Sequence, residues 1–317
     1  LILDSVGYTA DRQLEKEEYD LIDPACGSGT FLVRAAGRLL DRLEAKGVPP
    51  KDAIEIVQDR IHGLDLNPFA CHIAELNLLF QVLDLYKQVK DNNPDYTLDR
   101  FHIYRTDSLR IETQESLSAT HSSEVQRQYR EERKQAATVK EREDYGFVVG
   151  NPPYVRIQNI PKGPARDEYD EYETTHYNYD IYILFIERAA QWLAEGGNLG
   201  FIVSNKFTEN RYGAKIQDFI IQNYRLQEII NFGDVSVFEG VQSYPMIMIG
   251  ERVNKDEPFR STDDFKLIED YSFTYASVTE ALPEITQTAL NGGTNSDGSG
   301  SAAREREEEG GKIAEII

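Results

Sequence analysis

The order of segments predicts an α/β protein built on a doubly wound, mostly parallel sheet of seven strands, with an antiparallel hairpin at one edge. Two observations carry this. Short runs rich in β-branched and aromatic residues alternate with stretches whose apolar residues recur every three or four positions, the pattern of strand–helix–strand crossovers. The last two strand-like runs have no helix between them, so they are expected to pair antiparallel.

In chain order, a strand is expected at 20–23 and a helix at 30–46. A strand at 61–66 comes next, with a helix at 67–86, and strands at 101–105 and 147–150. A helix at 180–194, a strand at 199–204, a helix at 211–223 and strands at 226–232 and 246–251 complete the set. Pro49-Pro50 and Gly196-Gly197 punctuate helix ends. The charged, helix-prone stretch at about 111–145 has no strand partner and reads as an insertion, its 124–144 portion as a solvated helical face. Residues 1–252 are expected to form one domain, and 253–317 an acidic tail or linker, or the start of a further region. From Asn291 to Gly311 the composition turns to Gly, Ser, Asn and Glu. The chain begins with Leu, and its only methionines are Met246 and Met248, so it reads as a piece of something longer.

Composition excludes several classes. With 317 residues, 40% of them apolar and 10% aromatic, the chain can bury a real core and is not a disordered acidic tail. Two cysteines make no disulfide framework and point to a reducing compartment, the cytoplasm. Mean hydropathy is −0.52, and no apolar run approaches the ~20 residues of a spanning helix. Five histidines show no ligand spacing, so no metal is expected. The net charge of −21, with 55 Asp+Glu against 34 Lys+Arg, argues against nucleic acid, whose phosphates recruit Lys and Arg. It equally describes a halophilic protein whose carboxylate surface keeps it soluble in salt.

Two loops carry chemistry. The first strand ends in Asp23 and runs through Pro24, Ala25, Cys26, Gly27, Ser28, Gly29 and Thr30 directly into a helix. Such a Gly-rich turn lets a ligand approach the backbone, and the helix N-terminus favours negative charge. Asp65, ending the next strand just before Leu66, is placed to accept from ribose hydroxyls. The second loop is Asn151-Pro152-Pro153-Tyr154. Successive prolines remove two amide donors and leave carbonyls free, the Asn side chain offers another carbonyl, and Tyr adds a flat face. This combination accepts two hydrogen bonds from a planar amino group while stacking on its ring.

Together the two loops resemble the gamma-class N6-adenine DNA methyltransferases. The run from Asp23 to Leu32 is similar to that family's S-adenosylmethionine loop, and Asn151–Tyr154 to its catalytic motif. Residues 177–182 (YNYDIY) and 196–203 (GGNLGFIV), then Phe238, match the family's segments downstream of that motif, in order, and the matches span about 21–252. The continuation is nearest to type IIG restriction-modification and BREX-like phage-defence methyltransferases. The resemblance implies a Rossmann-like methyltransferase sheet, and transfer of the S-adenosylmethionine methyl to the amino group of an adenine flipped from double-stranded DNA. Restriction or specificity subunits or domains would lie outside the chain. The family's upstream element is represented by Leu1–Ser5 at most.

On this reading Asn151 and Pro152 accept the amine hydrogens, and Tyr154 and Phe238 receive the base, with Tyr179 and Asp180 beside them. The 23–30 loop, Asp65, Leu66, Asp107, Ser108, Pro153 and Phe185 hold the cofactor. Asp107 reads equally as a helix N-cap, Phe185 equally as helix packing, and Phe238 also as an edge-strand core residue. Cys26 has no histidine motif near it and is assigned a structural part. The Tyr-rich stretch 169–182 is otherwise expected to be a solvated loop. Two alternatives keep or alter the chemistry: an RNA guanine-N2 methyltransferase, and a non-catalytic DNA-recognition subunit with an inherited fold.

Overall fold

The computed structural model describes residues 1–10, 20–110, 124–233, 244–253 and 272–278. In chain order the elements are α1 (Ile2–Ser5), β1 (Leu21–Asp23), α2 (Thr30–Ala45), α3 (Pro50–Arg60), β2 (Ile61–Asp65), α4 (Pro68–Asn92), β3 (His102–Arg105), α5 (Glu124–Glu141) and β4 (Tyr145–Gly150). After a 3-10 turn at Ile157–Asn159 come α6 (Pro164–Tyr169), α7 (Tyr182–Trp192), β5 (Leu193–Ser204), α8 (Lys206–Glu209), α9 (Gly213–Asn223), β6 (Tyr224–Asn231), β7 (Pro245–Arg252) and β8 (Thr274–Ser277).

These strands form one sheet in the order β3-β2-β1-β4-β5-β7-β6-β8. Strands β3, β2, β1, β4 and β5 run parallel to one another, and β7 runs antiparallel between β5 and β6. The sequence reverses direction of assembly at β1, whose neighbours are β2 and β4, and a doubly wound sheet opens its crevice there. Apolar side chains leave both faces. Leu21, Phe147, Val149, Ile247 and Ile249 join α1 to α4 in one core, while Ile22, Val148, Leu199, Phe201 and Met248 join α5, α7 and α9 in the other. This double burial explains the unbroken apolar runs of the central strands.

Three features depart from the sequence expectation. The described sheet has eight strands, because Thr274–Ser277, within the segment read as a tail, pairs in parallel with β6. Helix α3 was not expected; Pro50 occupies its first turn, and Ala53, Ile54 and Val57 are its buried stripe. Helix α5 lies in the stretch read as an insertion. It belongs to the crossover from β3 to β4, and its last turns are not a solvated face: Ala136, Ala137, Val139 and Lys140 are buried. The many charges of this helix mask the apolar side of a short stripe. No helix among the described residues is long and apolar enough to cross a membrane.

Candidate active site

The Gly-rich turn after β1 is shaped by its glycines and by Asp65. Gly27 and Gly29 take left-handed φ of 52° and 83°, which costs an L side chain energy but glycine little. At Gly29 a Cβ would also lie 2.9 Å from the Ala74 Cβ, so glycine there lets α2 start hard against α4. The Asp65 carboxylate accepts the Gly27 N–H at 2.9 Å and the Asn67 N–H at 2.7 Å, tying the turn to the start of α4. Each of its oxygens keeps a further acceptor direction. Ser28 and Thr30 are exposed, Ala25 and Gly27 half-buried, and Pro24 and Cys26 buried. Burial pushes the Cys26 thiol well above its ordinary value, with the Asp23 charge adding to it; the sulfur is inert by environment.

Asp23 lies beneath this turn. It is 1% exposed and accepts the Ala25 N–H at 3.0 Å. Burial pushes its carboxyl up to about 8, the Asp65 charge adds to the rise, and the Ala25 amide opposes it. Ser108, at the end of β3, donates to the Pro24 carbonyl at 2.6 Å and ties the third strand end to the turn. Asp107 next to it accepts the Leu109 N–H at 3.1 Å and the Tyr169 hydroxyl at 2.5 Å. Leu66 is 63% exposed. A cleft of about 1370 Å³ is lined by Leu66 and Asp107 together with residues of α4 and α5; of the predicted cofactor residues only these two line it.

The Asn151–Tyr154 turn leaves β4, which pairs in register with β1, Leu21 opposite Phe147 and Ile22 opposite Val148. Two adjacent parallel strands, ~4.8 Å apart, therefore deliver the Gly-rich turn and the Asn turn side by side. The join is close: a Cβ on Gly150 would sit 2.8 Å from Asp23 Oδ1. Asn151 and Pro153 are exposed and Pro152 is buried. Tyr154 is half-buried, with its ring edge-on to Tyr182 at 5.9 Å between centroids. Its hydroxyl is buried without a hydrogen-bond partner among the described residues, and burial holds the phenol above its ordinary value.

Other predicted residues sit differently. Tyr179 is 2% exposed and donates to Asp170 at 2.9 Å, while Asp180 is 8% exposed and accepts the Tyr212 hydroxyl at 3.0 Å. Both were expected beside the base; here they brace the loop from within, because residues 179–181 hydrogen-bond to 155–157 and turn these side chains inward. Phe185 is 6% exposed within the α7 core. Phe238 lies outside the described residues. The tyrosine-rich stretch is not a solvated loop, since Tyr169, Tyr179 and Tyr182 are buried and only Tyr177 is largely exposed. Sequence reasoning missed Gly150, Tyr169, Tyr212 and the Arg110–Glu168 pair. The density of tyrosines in 169–182 was the available signal for Tyr169.

A family model described as Eco57I restriction-modification methylase matches residues 59–238, more than half of the chain. The Type II methyltransferase M.BstVI of Geobacillus stearothermophilus is 33% identical over 260 residues, 81% of this chain and 41% of that protein. The adenine-specific methyltransferase PglX of Streptomyces coelicolor is 30% identical over 276 residues, 80% of this chain and 22% of that protein. Among solved structures, a nuclease-deletion mutant of the Type ISP restriction-modification enzyme LlaGI, in complex with a DNA substrate mimic, superimposes with a TM-score of 0.60 at 16% identity. It covers 87% of this chain and 24% of that one, a likeness of fold. The chain spans less than half the length of the curated relatives it matches.

Proposed function

The chain belongs to the Eco57I restriction-modification methylase family, and on that premise we propose that it is the catalytic domain of a DNA methyltransferase acting on the N6 amino group of adenine. The observation that carries this is the pairing of β1 with β4, which sets the Gly-rich turn beside Asn151. The methyl donor is S-adenosylmethionine, which supplies a methyl group activated on a sulfonium. The residues fit it: a Cβ at Gly27 would meet nothing within 4 Å, so the turn is open to a ligand, and Asp65 and Asp107 offer acceptors at the neighbouring ends of β2 and β3. The 23–30 turn, Asp65, Leu66, Asp107, Ser108 and Pro153 would hold it.

The chemistry required of the protein is modest and directional. An adenine amine is a poor nucleophile because its lone pair is delocalised into the ring. The Asn151 side-chain oxygen and the Pro152 carbonyl accept its two hydrogens, which favours a tetrahedral nitrogen with its lone pair projecting from the ring plane. Tyr154, with Phe238, offers an aromatic face to a base taken out of the duplex. Positioning and preorganised dipoles then supply the rate. No covalent enzyme intermediate is involved, in keeping with the inert Cys26. Sequence choice and any cleavage belong to restriction or specificity parts outside this domain, in a restriction-modification or phage-defence setting.

The test is transfer of labelled methyl from S-adenosylmethionine to DNA by the full-length protein, followed by nucleoside analysis. N6-methyladenine is expected, and Asn151→Ala should lower the rate by at least ~10²-fold, the scale for one preorganised dipole. Methylguanine in RNA as the product would favour the RNA enzyme. Undiminished transfer by Asn151→Ala would remove the role given to that residue.

A further inference from the structure

Residues 157–178, between the Asn151–Tyr154 turn and α7, form a loop closed at its neck and latched at its tip. At the neck the Ile181 N–H donates to the Val155 carbonyl at 2.8 Å and the Ile157 N–H to the Tyr179 carbonyl at 3.0 Å. Beneath it the Tyr212 hydroxyl bonds to Asp180 and pairs with the Tyr182 hydroxyl, each at 3.0 Å, and the Tyr182 ring meets that of Tyr154. The neck is thereby tied to the base-binding turn. At the tip the loop reaches the end of β3. Tyr169 donates to Asp107 Oδ2 at 2.5 Å, Tyr172 donates to the Leu109 carbonyl at 2.6 Å, and the Arg110 guanidinium grips Glu168 at 3.0 and 2.7 Å.

We propose that Tyr169 is a positioning residue for the cofactor: by pinning Asp107, it couples occupancy of the cofactor site to closure of the loop that follows the base-binding turn. This rests on the reading of Asp107 as a cofactor acceptor. With Oδ1 held by the Leu109 N–H and Oδ2 by the phenol, the carboxylate is fixed in orientation. Each oxygen retains one acceptor direction for a ligand amine. A fixed acceptor binds with less ordering cost than one that must first be immobilised. Tyr169 is buried, and burial together with Asp107 raises its pKa, so the phenol remains a donor at neutral pH. The Arg110–Glu168 pair, partly open to solvent, contributes little by itself. Coupling is reciprocal: what the contact adds to cofactor affinity, the cofactor returns as loop closure.

The experiment pairs calorimetry of S-adenosylmethionine with limited trypsin cleavage after Lys162 and Arg166, which lie in the loop, with and without cofactor. Wild type, Tyr169→Phe, Tyr172→Phe and Asp107→Ala are compared in the full-length protein. Cofactor should slow wild-type cleavage. Tyr169→Phe should bind about tenfold more weakly, the scale of one hydrogen bond to a charged group, and lose cofactor protection in proportion. Tyr172→Phe, which removes a bond of similar length from the same loop without touching Asp107, should bind within about twofold of wild type. Unchanged or tighter binding by Tyr169→Phe overturns the coupling, as does an equal loss in Tyr172→Phe, which would make the loop merely structural. Wild-type affinity in Asp107→Ala overturns the reading of Asp107 and the proposal with it, whereas loss in Asp107→Ala with none in Tyr169→Phe overturns only the coupling.

Discussion

Asp23 is where a single side chain joins the two halves of the site. Its carboxyl is enclosed by the first turn, and Gly150 of the second comes within van der Waals reach of Oδ1 because it has no Cβ. A buried carboxyl held at about 8 is a stability statement. In the unfolded chain it titrates near 4, so the folded state is favoured fully below that pH and progressively less as pH rises from about 4 to about 8. Asp23→Asn removes this dependence. The difference in melting temperature between Asp23→Asn and wild type should therefore grow across that window and level off above it, where the corresponding difference in stability is on the order of a few kcal/mol. A constant difference from pH 4 to pH 9 would show that the carboxyl is not buried as described.

At the scale of elements, the β2–β3 pair holds a comparable device with the opposite sign. His62 and His102 lie opposite each other across the parallel ladder, ring nitrogens 3.2 Å apart, with Tyr145 edge-on to His62. Burial depresses the His62 pKa well below its ordinary value, with His102 and Arg142 adding to it, and His102 is depressed as well. A lowered histidine leaves stability intact above about 6.5 and loses it as pH falls below that. His62→Phe should flatten the decline in melting temperature between pH 7 and pH 5, measured by calorimetry. An equally steep decline would assign the acid sensitivity elsewhere. The neighbouring Asp20, bridged by Arg60 and Arg142, joins the start of β1 to the helices on either side of it. Neither this bridge nor the histidine pair was legible in the sequence, because each joins residues 40 or more positions apart.

For the whole molecule, the charge of −21 is the dominant long-range term. Self-repulsion of that size destabilises the compact state, and salt screens it. Raising KCl from 0.1 to 1 M should therefore raise the melting temperature by several degrees; an unchanged or falling value would contradict a salt-adapted surface. The acid excess is heaviest beyond residue 250, while the segments 21–50 and 201–250 are near balance, so the charge does not forbid DNA at the catalytic end. Phosphate contacts should be few, and the affinity of the full-length protein for DNA should fall only shallowly with salt. A steep fall would mean many phosphate contacts.

Local rules determined much of this protein. Strand and helix alternation, the glycine turn after Asp23 and the proline-fixed carbonyls after Asn151 are legible because each is enforced by neighbours in the chain: side-chain period, permitted φ, missing amide donors. What tertiary structure alone decided are relations between distant segments. These include the insertion of β7 between β5 and β6, the addition of β8, and the burial of one side of α5. They also include the inward turn of Tyr179 and Asp180 and the reach of Tyr169 to Asp107. Each depends on which surface a residue meets after the sheet has assembled, and burial and pairing across 60 or 80 residues leave no periodic trace in the sequence that specifies them.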